Sequence, residues 1–127
     1  MLVFGLGTTA NATLILKGTD TLGNRLIYDS DLDITWYDYT TDSRENWQTQ
    51  VDWALGLTVE FGGTTYDNWR LPTAVDGVNV FGYDGTTTAG YNITTSEMGH
   101  LFYSTLGNLG YYDTLGNPNQ QGHGLNN

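Results

Sequence analysis

Arg25-Leu26-Ile27-Tyr28-Asp29-Ser30-Asp31-Leu32-Asp33-Ile34-Thr35-Trp36-Tyr37-Asp38-Tyr39 is the stretch on which the fold turns. Arg25 to Asp29 reads as a short strand. From Asp31 to Tyr39 the pattern has period two. Leu32, Ile34 and Trp36 fall on one face, and Asp31, Asp33 and Thr35 on the other. Such alternation marks a strand with one buried side. The stretch therefore predicts an antiparallel hairpin turning near Asp29-Ser30. Upstream, Thr13 to Lys17 reads as a further strand. Gly18 to Asn24 is turn chemistry closing on Gly23-Asn24.

Two helical patterns follow. Asp42 stands three residues before Glu45, a capping-box spacing, and Trp47, Val51, Ala54 and Leu55 share one face. Gly56 is the expected stop. Thr94 and Glu97 repeat the spacing ahead of Met98, Leu101, Phe102, Thr105 and Leu106, with Gly107 as the stop. Thr58 to Phe61 leads into a turn at Gly62-Gly63. Pro72 excludes a helix through Tyr66 to Thr73. Residues 74–93 form a loop rich in Gly, Thr, Tyr and Asp, and loops of this length often carry function. Residues 108–127 read as turns with at most one short strand, and no internal repeat is read.

Composition narrows the function. Lys and Arg total 4 against 14 Asp and Glu, for a net charge of −10 over 127 residues. Such a surface repels phosphate backbones, so nucleic acid is excluded as a partner. No cysteine is present, which removes disulfides, thiol nucleophiles and thiolate metal sites. No run approaches the ~20 apolar residues of a membrane span. The weakly charged, Gly- and Tyr-rich make-up suits an exported β-rich protein. Leu2 to Gly7 is a short apolar run, and Ala10-Asn11-Ala12 has the form of a signal-peptidase site. Residues 1–12 are read as a signal-peptide remnant, since no Lys or Arg precedes Lys17. Residues 13–127 are read as a single domain.

Asn68-Trp69-Arg70-Leu71-Pro72-Thr73 and Thr95-Ser96-Glu97-Met98-Gly99-His100-Leu101-Phe102-Tyr103 add a further signal. With Leu26-Ile27-Tyr28-Asp29 and Leu32-Asp33-Ile34-Thr35-Trp36, they resemble the Lcl C-terminal domain family. The nearest likeness is to exported bacterial members that often end in a Pro-Glu-Pro sorting tail. The resemblance spans Leu26 to Tyr112. It implies a C-type-lectin-like α+β fold, with two helices packed on small twisted antiparallel sheets and long loops. Family members continue into further strands beyond the counterpart of Asn127. The resemblance therefore implies an incomplete domain with an open sheet edge, a template for another chain. Trp-Arg-Leu-Pro also occurs in formylglycine-generating enzymes. Their chemistry uses cysteines and does not carry over.

The residues that bear chemistry are few. Asp29, Asp31, Asp33, Asp38, Asp42 and Glu45 form an acidic cluster. A hard cation such as calcium would suit such oxygens, but the spacing fails an EF-hand, with Ile34 at the glycine place and Thr40 at the bidentate Glu place. A solvated face is the preferred reading, so no metal or cofactor is expected. Asp76, Tyr83, Asp84 and Tyr91 in the long loop are the materials of a sugar site: hydrogen-bonding carboxylates and flat rings. Turn chemistry is the competing reading for the Asp-Gly pairs. The resemblance makes Arg70 and Glu97 a structural ion pair. Trp36, Trp47, Trp69 and Phe102 are the expected core. His100 lacks a second histidine at ligand spacing and reads as a surface or hydrogen-bonded residue. No nucleophile–base pair is found, so no enzyme is expected. The resulting expectation is a secreted or cell-surface bacterial recognition domain for a polysaccharide or a cell-surface protein. Its alternative is a structural subunit that self-associates through the open sheet edge.

Overall fold

The computed structural model describes residues 13–40 and 44–124. The signal-like segment 1–12 and the expected cap Asp42 lie outside them. The chain runs β1 (Leu14–Thr19), β2 (Arg25–Asp29), β3 (Ile34–Asp38), α1 (Trp47–Gly56), β4 (Val59–Phe61), β5 (Thr64–Tyr66), β6 (Phe81–Gly82), β7 (Ala89–Gly90) and α2 (Glu97–Gly99). A π-helical segment, His100–Thr105, continues α2. The fold is a mixed α+β arrangement of two helices and small sheets. No helix among the described residues is long and apolar enough to cross a membrane.

β1, β2 and β3 form an antiparallel sheet in that order. Its register sets Ile27 opposite Trp36 and Leu26 opposite Tyr37. The expected hairpin is present, but the strand alternation stops short of its start. Asp31 and Asp33 lie in the turn rather than on a strand face, and Asp33 takes φ +54°. Asp29 is not solvated but fully buried. Its Oδ1 accepts the amides of Asp31 (3.1 Å) and Leu32 (3.3 Å), and its Oδ2 accepts Trp36 Nε1 (3.2 Å). A carboxylate that caps its own turn and holds a strand tryptophan cannot stay on the outside. β4 and β5 pair across Gly62-Gly63, and the Phe61 ring lies against Gly18 at the bulge of β1.

α1 starts later than expected. Asn46 is its cap, with Oδ1 accepting Thr49 N at 2.9 Å. The expected apolar face is only partly covered. Ala54 is 2% exposed, but Trp47 is 67% and Leu55 63% exposed. Trp47 is therefore not a core residue. It stands in the first turn, beyond the part of the helix that meets the sheet. Trp36, Trp69 and Phe102 are half-buried. Among the described residues the buried apolar ones are Leu26, Ala54 and Val59. The second helix is capped by Ser96, whose hydroxyl accepts Gly99 N at 3.0 Å, and not by Thr94. It turns to π geometry at His100, with Leu106 N bonded to Leu101 O. Met98 and Leu106 are exposed, so its apolar face reduces to Leu101 and Phe102.

Residues 74–93 are built rather than open. β6 and β7 pair in parallel, and Thr88 Oγ1 accepts Val80 N (2.9 Å) while donating to Val78 O (2.5 Å). Asn92 Nδ2 donates to Tyr83 O (2.6 Å) and Tyr112 O (3.2 Å), tying the loop to the C-terminal segment. That segment is turn-rich, with isolated bridges from Leu109 to His123 and Gly124.

A repeat does exist at small scale. Asp-Thr-Leu-Gly-Asn occurs at 20–24 and again at 113–117. In both copies the Asp Oδ1 accepts the amides of the Leu and the Asn, at 2.8 Å in the first and 2.9 Å in the second. In both, the Asn side-chain amide donates back to Asp Oδ2. Both leucines stand in solvent, 80% and 85% exposed.

Candidate binding groove

A groove of about 640 Å³ lies between the β1–β3 sheet, α1 and the segment 66–72. Its walls include Trp36, Tyr37, Tyr39, Trp53, Tyr66 and Trp69. Strand period two puts Tyr37 and Tyr39 on one face of the chain at β3, where their rings lie parallel, 5.8 Å apart. Trp53 of α1 stacks on Tyr39 at 5.3 Å, and Trp69 tilts onto Tyr37 at 5.3 Å. The result is a continuous row: Trp53, Tyr39, Tyr37, Trp69. Its ends are fixed. Trp69 Nε1 donates to Tyr66 O (3.0 Å). Tyr37 Oη donates to Asp20 Oδ2 (2.6 Å) and accepts from Asn24 Nδ2 (2.9 Å). Burial first, and then Asp20, push the Tyr37 hydroxyl up to about 12. The Tyr37 hydroxyl in turn is the main cause holding Asp20 down at about 2. Tyr39 (44%), Trp53 (37%) and Tyr66 (39%) keep ring surface in solvent.

One end of the groove carries the Arg70–Glu97 pair. Arg70 donates from both terminal nitrogens, to Oε2 (2.7 Å) and Oε1 (2.6 Å). Thr73 N adds a bond to Oε2 (2.8 Å), and Glu97 N donates to Thr73 Oγ1 (3.2 Å). The two-pronged pair thus clamps the segment after Trp69 to the start of α2. The Arg70 guanidinium is the main cause holding the Glu97 carboxyl at about 2, and Glu97 raises Arg70 in return. A depressed carboxyl stabilises the fold above its ordinary value of 4.5, and that contribution is lost as pH falls toward 2. Glu97 is 16% exposed and Arg70 52%. The worth of the pair therefore lies below that of a buried bridge, at about 1–2 kcal/mol.

The loop residues Asp76, Tyr83, Asp84 and Tyr91 lie outside this groove. Tyr83 and Tyr91 do meet, stacked at 6.2 Å, with Tyr112 at 5.1 and 4.9 Å from them and Phe81 edge-on at 5.3 and 6.3 Å. Asp84 Oδ1 accepts Thr86 N and Thr86 Oγ1, which lower its carboxyl. Asp76 is exposed and shares no bond with the other three.

The acidic cluster disperses. Asp31 Oδ2 meets His100 Nε2 at 2.5 Å, Asp33 accepts the Tyr28 hydroxyl at 2.7 Å, and Asp38 pairs with Arg25. Among the described residues no group of three His, Asp or Glu side chains is placed to hold a metal ion. Sequence reasoning missed Tyr37, Tyr39, Trp53 and Tyr66 as groove residues. The signal was there for the first two, since Tyr37 and Tyr39 alternate opposite Trp36. Trp53 and Tyr66 arrive through tertiary packing alone. It also left His100 without its partner, 69 positions away in sequence, in the β2–β3 turn.

No protein-family description, curated protein or solved structure matches the chain.

Proposed function

We propose that this chain is an exported, non-enzymatic recognition domain of C-type-lectin-like, Lcl C-terminal type, acting at a bacterial cell surface. Its ligand is a polysaccharide, taken up in the aromatic groove rather than on the 74–93 loop. The observation that carries this reading is the row Trp53, Tyr39, Tyr37, Trp69 along a groove of about 640 Å³. Flat rings with solvent-facing area match the apolar faces of pyranose rings, and polar groups at the edges fix orientation. Stacked bases would also suit such a row, but a net charge of −10 opposes their phosphates. The loop tyrosines are the weaker candidate. Tyr83 packs on Gly116 and Tyr91 on Gly110, so their faces are spent on the C-terminal segment. Of the two acids that line the groove, Glu97 is held by Arg70 and Thr73 and Asp33 accepts the Tyr28 hydroxyl, which suits structural roles and not proton transfer.

Tryptophan fluorescence titrated with a panel of soluble polysaccharides tests the assignment. Binding should weaken about three- to tenfold in Tyr39→Ala or Trp53→Ala and stay unchanged in Asp84→Ala. Binding lost in Asp84→Ala but kept in the groove variants would move the site to the loop.

A second reading has one observation behind it. β1 is an edge strand of its sheet and exposes Ile15 (44%) and Leu16 (60%). Strand addition between copies would cover that edge and make the chain a subunit of an extracellular assembly. Light scattering showing a mass that grows with concentration would favour it over the recognition reading.

A further inference from the structure

From the same groove we infer that the preferred ligand is a cationic amino-sugar polymer. This inference rests on the recognition reading above and names the ligand class. The rings accept the sugar faces; charge selects among sugars. Of the groove's cations, Arg70 is neutralised by Glu97 at 2.6 and 2.7 Å. Lys17, which also lines the groove, sets its Nζ 5.6 Å from the centre of the Tyr28 ring. Tyr28 in turn donates to Asp33 Oδ1 at 2.7 Å, and Asp33 lines the groove.

Lys17, Tyr28 and Asp33 therefore already form an ammonium site at the groove's lip: a cation over a ring whose hydroxyl is bound to a carboxylate. The geometry is that of cation–π recognition, strengthened by the negative partner. A ligand ammonium can take the place of the Lys17 ammonium there, while its neighbouring sugar rings lie along the row from Trp69 to Trp53. At longer range the chain carries 14 acids against 4 bases, so its field draws a polycation in and repels a polyanion. A uronate or sulfated polymer meets no unpaired cation in the groove other than Lys17.

The test is tryptophan fluorescence with three probes: glucosamine oligomers, their N-acetylated counterparts and cello-oligomers, at low and high salt. Glucosamine oligomers should bind about tenfold tighter than the other two at low salt. In ~1 M salt, where the screening length is about 3 Å, the gap should narrow to a few fold. Lys17→Met empties the lip and should tighten glucosamine binding while leaving the acetylated oligomers unchanged. Tyr39→Ala should weaken all three, which separates groove binding from diffuse attraction to an acidic surface. Equal affinity for all three probes would overturn the charge selection but leave the recognition reading in place. Glucosamine binding that ignores both Lys17→Met and Tyr39→Ala would overturn the site. No binding by any of the three probes would overturn the amino-sugar assignment, and no binding across the wider polysaccharide panel would overturn the recognition reading as well.

Discussion

The two Asp-Thr-Leu-Gly-Asn turns share sequence and hydrogen bonds but are attached to the fold by different atoms. At 20–24 the attachment is the carboxylate. Asp20 Oδ2 receives the Tyr37 hydroxyl, so the turn is tied to the sheet and to the aromatic row. At 113–117 the Asp carboxylate serves its own turn, and the attachment is the glycine. A Cβ at Gly116 would lie 2.9 Å from the Tyr83 ring, whereas the same position at Gly23 opens to empty space. The pentapeptide thus specifies its own conformation, and what surrounds it decides which of its groups also serve the tertiary structure.

The comparison breaks most visibly at the glycines. Both need a positive φ, +89° at Gly23 and +80° at Gly116. Gly23→Ala should cost about 1–2 kcal/mol in a urea titration, from backbone strain alone. Gly116→Ala carries the same strain and must also push Tyr83 off its stack, for a total of about 2–3 kcal/mol. Equal losses would mean that Tyr83 yields freely and that the second turn is not anchored there.

A smaller effect isolates the first attachment. Tyr37→Phe keeps the ring in the row and removes the hydroxyl shared with Asp20 and Asn24. We expect a loss of about 1–2 kcal/mol in the same titration, with groove binding retained. The smallest and sharpest effect is a titration. Asp20 should protonate near pH 2 by NMR, against an ordinary 3.8. Its contribution to stability is therefore present above 3.8 and fades as pH falls toward 2. In Tyr37→Phe the Asp20 value should climb back toward 3.8, while Asp113, lowered chiefly by Asn117, stays where it was. An Asp20 value unmoved by Tyr37→Phe would show that the turn alone depresses it.

Much of the architecture was legible in the chain because it is locally encoded. Period two found β3, Gly62-Gly63 found the turn that joins β4 to β5, and the Gly56 and Gly107 stops agree with the helix ends to within a residue or two. The helix starts were less legible. Asn46 and Ser96, the caps that form, lie four and two residues past the Asp42 and Thr94 that fit a motif. A capping-box spacing is common by chance in a sequence so rich in Thr, Ser and Asp. The acidic cluster misled for a different reason. Asp29 looks like its neighbours in sequence, yet its carboxylate is consumed by two turn amides and an indole, which buries it. The groove was only partly legible, since Tyr37 and Tyr39 are spaced for one face but Trp53 and Trp69 reach them from other elements.

The small apolar interior has a thermal consequence. Among the described residues only Leu26, Ala54 and Val59 are buried hydrocarbons, while the polar Asp29 and Asn108 are buried as well. Unfolding exposes apolar area that raises the heat capacity and polar area that lowers it. A fold held by capped turns and half-covered rings gains little heat capacity on melting. Its stability curve is correspondingly shallow, and the domain holds a similar margin from cold surroundings to warm ones.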